Sequence, residues 1–181
     1  MIRTTYNEAG ANEPVRIEQV FAEKPAGGIV KEPGFDAPAT TAVSADGDKF
    51  KVMKAYRLVA PVAAEDTTIK IAKGSGVAVG DVIGHGKKSV ACTAVAEGVE
   101  YDTVTVTLGV VIAKGTVLYE AASASASSAT PKGTAVYVTG NALKAGHGDQ
   151  PVRLINGANL RKETANIAPE VVAQLKNINL V

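Results

Sequence analysis

From Thr67 to Tyr119 apolar and polar residues alternate with a period of two, and β-branched types dominate. That pattern is the signature of half-buried strands, and it leaves little room for a helical fold. Its clearest stretch runs from Thr103 to Leu108. Val104, Val106 and Leu108 fall on one side of an extended chain, and Thr103, Thr105 and Thr107 fall on the other. A core built on this pattern has to come from aliphatic side chains, because aromatics are only 4% and tryptophan is absent. Eighteen glycines and eight prolines break the alternation often, which suits many short strands joined by tight turns.

A turn-and-strand unit recurs within this region. Val77 to Ile83, with Gly80-Asp81, is echoed by Ile112 to Leu118, with Gly115-Thr116. A looser copy spans Pro131 to Tyr137, with Gly133-Thr134. The glycine is expected to supply a positive φ at each turn, and the Asp or Thr to bond the turn backbone. The copies are unevenly spaced, so the repeat punctuates a compact barrel or sandwich rather than a solenoid. The Gly-rich run Gly74 to Gly80 lacks dinucleotide-fingerprint spacing and is followed by a strand pattern, so it reads as a strand connection.

The ends of the chain look different from the middle. Residues 1–48 hold Pro14, Pro25, Pro33 and Pro38 and only short apolar pairs. They are expected to form an extended N-terminal arm, with one short strand near Val15 to Phe21, that orders on a partner. Residues 49–181 are then the β domain. Phe50 to Val62 is expected to open that domain as a strand ending at Pro61. Ala121 to Thr130, nearly all alanine and serine, is expected to be a mobile connection. Asn156-Gly157 between two apolar runs predicts a hairpin. Pro169 suits the first position of a helix, with Val171, Val172 and Leu175 on one face. Ile178, Leu180 and Val181 keep the terminus apolar, so this segment is expected to pack on the β domain or between subunits. Val171, Val172, Leu175 and Ile178 are therefore candidate interface residues. The fold class expected is mainly β, a small barrel or sandwich with an N-terminal arm and one short C-terminal helix.

Catalytic chemistry finds no support. His85 and His147 sit in matching Gly-His-Gly loops without a second ligand at useful spacing, apart from Asp149 beside His147. Solvent-exposed loop histidines are expected, and no metal or cofactor. The single cysteine, Cys92, lies in an alternating strand and is expected to be a buried, inert thiol. No Gly-x-Ser-x-Gly elbow occurs among the serines. With 19 basic and 18 acidic residues the formal charge is +1, so no long-range field draws the chain to nucleic acid. No apolar run approaches a membrane span. The expectation is a protein that is not an enzyme, made in the cytoplasm, with no nucleic-acid or membrane partner.

Three stretches carry a family resemblance. They are Leu108 to Tyr119 (Leu-Gly-Val-Val-Ile-Ala-Lys-Gly-Thr-Val-Leu-Tyr), Val152 to Lys162 (Val-Arg-Leu-Ile-Asn-Gly-Ala-Asn-Leu-Arg-Lys) and Pro169 to Val181. With them, residues 104–181 resemble the C-terminal part of bacteriophage head-fibre and capsid decoration proteins. The resemblance implies a hairpin, a short helix and an apolar last strand. It also implies a non-enzymatic virion protein, homo-oligomeric with a trimer ahead of a dimer, fixed to the phage major capsid protein at the capsid surface. A competing expectation is a bacterial surface or carbohydrate-binding β module. The absence of tryptophan weighs against that, since sugar sites favour exposed aromatics.

Overall fold

The computed structural model describes residues 14–181. The protein is mainly β, with one short helix near its C-terminus. The chain divides into two compact units, Met53–Gly133 and the combination of Met1–Val52 with Thr134–Val181. The division departs from the boundary expected at residues 48 and 49.

In the discontinuous unit, an eight-stranded sheet draws on both ends of the chain. Its strands are β1 (Ile17–Glu23), β2 (Gly28–Val30), β3 (Ala42–Asp46), β4 (Lys49–Val52), β12 (Ala135–Thr139), β13 (Gln150–Val152), β14 (Leu154–Leu160) and β15 (Asn177–Leu180). Seven run in the order β1-β14-β12-β3-β4-β2-β13, and β15 adds to β14. The expected N-terminal arm is therefore corrected over residues 17–46. Prolines confine strands to edges and breaks, and here they fall between strands, at Pro25, Pro33 and Pro38, instead of preventing pairing. Pro14, the first described residue, precedes β1, and residues before it lie outside the described part. Pro151 lies within β13, which is an edge strand and can spare the missing N–H.

Val30, Ala37, Val43, Val52, Leu143, Val152 and Leu154 form the core of this unit. Phe50 and Tyr137 meet over it edge to face, ring centroids 5.6 Å apart. The expected hairpin at Asn156-Gly157 is corrected, because β14 runs unbroken through both residues. A Cβ on Gly157 would lie 2.9 Å from Ala22 Cβ and 3.0 Å from Phe21 Cδ2. The glycine admits close approach of the antiparallel neighbour β1 rather than making a turn.

The contiguous unit holds two sheets. One has the order β6-β10-β9, from β6 (Thr68–Ala72), β9 (Ala94–Glu97) and β10 (Tyr101–Thr105). The other has the order β5-β11-β7-β8, from β5 (Ala55–Arg57), β7 (Val82–His85), β8 (Lys88–Ala91) and β11 (Val117–Glu120). The strand expected from Phe50 to Val62 is split into β4 and β5, one in each unit. Alternation behaves as the sequence predicts: Val104, Val106 and Leu108 are buried, and Thr103 and Thr105 are half-buried with Thr107 exposed. They pack with Tyr56, Ile69, Ile71, Ile83, Ile112 and Leu118 into one aliphatic core.

The recurring turn has its expected glycine conformation in all three copies, and the expected side-chain bond to the turn backbone in the copy at Asp81. Gly80, Gly115 and Gly133 have φ of 92°, 84° and 100°. Asp81 accepts a hydrogen bond from the Ala78 N–H at 2.9 Å, closing its own turn. A copy that the glycine pattern overlooks lies at Ala63 to Asp66, where Asp66 accepts from the Ala63 N–H at 2.7 Å. The apolar residues just before two of these turns, Val62 and Ile112, exchange reciprocal backbone bonds of 2.9 Å. Among the described residues no helix is long and apolar enough to cross a membrane.

Candidate interaction surfaces

The C-terminal candidates fold onto their own unit. Helix α1 (Pro169–Val172) is a single turn with Pro169 at its start. It is shorter than the expected run and ends before Leu175. Asn166 anchors the approach to it, its N–H donating to Thr40 Oγ1 at 2.8 Å and its Nδ2 to Thr41 Oγ1 at 3.0 Å. Gln174 Oε1 then accepts from the Ala135 N–H at 2.6 Å. Strand β15 pairs in parallel with β14, Ile178 opposite Ala158. Val171 and Ile178 are buried inside the unit, so neither offers surface to a partner. Val172 and Leu175 are half-buried and keep some.

His85 ends β7, and His147 is exposed in the loop before β13. No group of three His, Cys, Asp or Glu side chains is placed to hold a metal among the described residues. Cys92 is buried, its Sγ 3.3 Å from the Ala94 carbonyl, and burial pushes its thiol pKa up. That is the environment of a packed thiol, not of a nucleophile.

A polar network lies beside the aliphatic core of the contiguous unit. Asp81 Oδ2 accepts from Lys54 Nζ at 2.7 Å, from Tyr56 Oη at 3.0 Å and from the Ala78 N–H. Burial on its own would raise the Asp81 pKa, but the Lys54 hydrogen bond and charge and the other donors outweigh it, and the carboxyl is held below its ordinary value. Burial and the adjacent Asp81 charge push the Tyr56 phenol far above its ordinary range. Tyr56 is thus a fixed donor, unsuited to giving up a proton. The network ties β5 to the turn before β7. Sequence reading found Asp81 through its turn; Lys54 and Tyr56 carried no signal, because only pairing across strands brings them to it.

Two further features were not legible in the sequence. The Ala-Ser segment, expected to be mobile, is bonded to the edge strand β8. Ser125 and Ser89 exchange backbone bonds of 3.0 and 2.8 Å, Ser89 Oγ donates to the Ser123 carbonyl at 2.8 Å, and the Ala129 N–H reaches the Lys87 carbonyl at 2.9 Å. Its small side chains leave a groove of about 430 Å³ open between Lys88, Val90, Leu108, Ala124 and Ala126. The other feature is the turn joining β9 to β10, where Val99 is 93% exposed. No protein-family model, curated protein or solved structure matches the chain.

Proposed function

We propose that this chain is a structural virion protein, a phage head-fibre or capsid decoration protein. In this reading it forms a homo-oligomer, a trimer ahead of a dimer, and attaches to the major capsid protein at the capsid surface. It performs no chemistry of its own. The observation that carries the reading is the order of elements in the last third of the chain. The resemblance implies a hairpin, a short helix and an apolar last strand; strand β14 runs unbroken where the hairpin was expected, and helix α1 and strand β15, with the apolar Ile178 and Leu180, follow it in the implied order. The side chains with perturbed proton affinities support it too, since Asp81 and Tyr56 satisfy each other in a structural role.

The test is binding to phage capsid shells assembled without this protein. Purified chain added to such shells is expected to appear by electron microscopy as density repeated at symmetry-related positions. Shells that remain bare at tens of micromolar protein overturn the proposal. Retention on bacterial polysaccharide with no capsid binding points instead to a carbohydrate-binding module.

A further inference from the structure

We propose that copies of this chain associate head to tail, with the Val99 turn of one copy seated in the groove beside β8 of the next. The inference shares with the proposed function only the premise of a homo-oligomer. Both parts lie within the contiguous unit, and each has what the other lacks.

The protruding part is a short, tight turn. Glu97 of β9 pairs with Asp102 of β10, and Gly98, Val99, Glu100 and Tyr101 close the turn between them. The turn is tight: a Cβ on Gly98 would come within 2.2 Å of the Tyr101 carbonyl oxygen. Lys73 Nζ holds the Gly98 carbonyl at 2.5 Å from outside the hairpin. Val99 therefore stands in water at the tip of this turn, where a branched apolar side chain gains nothing from its own fold. It is bracketed by the exposed carboxylates Glu97 and Glu100, which form no ion pair among the described residues.

The receiving part has the opposite character. Val90 and Leu108 give the groove an apolar base, and Ala124 and Ala126 are too short to fill it. Lys88 lines the groove, and Lys87 next to it is exposed. An apolar side chain flanked by two negative charges is the occupant such a groove fits. The same chain presents that occupant on other residues, so a contact made in one direction only is heterologous, and it closes into a ring or runs on as a filament. Burial of Val99 supplies the attraction, and the rim charges select register and orientation more than they add affinity.

Light scattering of the full chain across a concentration series tests this. The wild-type chain is expected to show a concentration-dependent mass above that of a monomer. Val99→Asp should shift it to the monomer throughout, with an unchanged circular dichroism spectrum and melting temperature, because the side chain is exposed in the single copy. Lys88→Glu, and separately Glu97→Lys with Glu100→Lys, should each raise the dissociation constant several-fold, and the three changes together should recover most of that loss. A wild-type multimer that Val99→Asp leaves intact overturns the turn-and-groove contact while leaving the homo-oligomer of the proposed function standing. A wild-type monomer at every concentration overturns both this contact and the homo-oligomer, and the capsid-binding assay then judges the virion role by itself. Loss of association with Val99→Asp but no recovery in the charge-reversed combination overturns the pairing of Lys88 with the two glutamates.

Discussion

Asp81 joins three separate donors of the contiguous unit at one side chain. One of its carboxylate oxygens accepts from Lys54, Tyr56 and the backbone of its own turn. Hydrogen bonds to a charged group contribute about 1.5–3 kcal/mol each at best, and the pair is mostly shielded, with Asp81 and Lys54 side chains 13% and 23% exposed. Because the folded state holds the Asp81 pKa below its ordinary value of 3.8, the carboxylate contributes stability that is fully present above that value. That contribution is lost as pH falls through the lower, folded pKa. Urea midpoints followed by circular dichroism are expected to fall below pH 4 in the wild type. Asp81→Asn should lower stability at pH 7 by about 1–3 kcal/mol, the scale of charged hydrogen bonds, and should flatten part of the acid decline. If the variant loses nothing at pH 7, the network is solvated and idle.

At the level of the strand, the same dipeptide can mean opposite things, and only the neighbouring strand decides which. Asn156-Gly157 has the composition of a two-residue turn, yet it lies mid-strand because β1 presses Phe21 and Ala22 against the glycine. Gly157→Ala is therefore expected to destabilise by about 1–3 kcal/mol, the usual cost of overpacking, read as a lower urea midpoint. An alanine tolerated there would show that β1 can move away without loss. The parts of the fold that could be read from sequence share a local cause. Val104, Val106 and Leu108 are buried because of their own alternation, and Gly80 and Gly115 adopt positive φ because of the turns they sit in. The illegible parts depend on partners distant in sequence. Residues 17–46 looked like an arm because they lack a sustained apolar period. They fold because β14 and β12, more than 90 residues later, supply the missing edges. Val171 and Ile178 were rightly expected to be covered, but sequence alone could not say that the cover comes from the same chain. The Val99 turn and the β8 groove gave no sequence signal, since one valine and one lysine among many mark nothing until exposure and packing are known.

The organisation of the whole chain is an insertion. The contiguous unit, Met53–Gly133, interrupts a unit built from both chain ends. Its two ends converge on one residue: the Glu120 N–H donates to the Lys54 carbonyl at 3.3 Å, and the Glu120 carbonyl accepts from the Lys132 N–H at 2.8 Å. A segment whose ends meet across a single strand can be lifted out without stretching either junction, and it carries its own aliphatic core from Tyr56 to Leu118. Residues 53–133 produced alone are therefore expected to fold. The expected observations are a β-type circular dichroism spectrum, dispersed amide resonances and a cooperative urea transition. A fragment of this size buries a smaller share of its surface than the full chain, so it is expected to be marginal, with a lower midpoint than the whole protein. Because the network of Lys54, Tyr56 and Asp81 lies entirely within the fragment, Asp81→Asn should cost it the same free energy as it costs the full chain. In a fragment with less stability to lose, that should be enough to abolish most of the cooperative transition. A disordered fragment, or one in which Asp81→Asn has no effect while the full chain responds, would show that the contiguous unit depends on the rest of the chain to hold that network together.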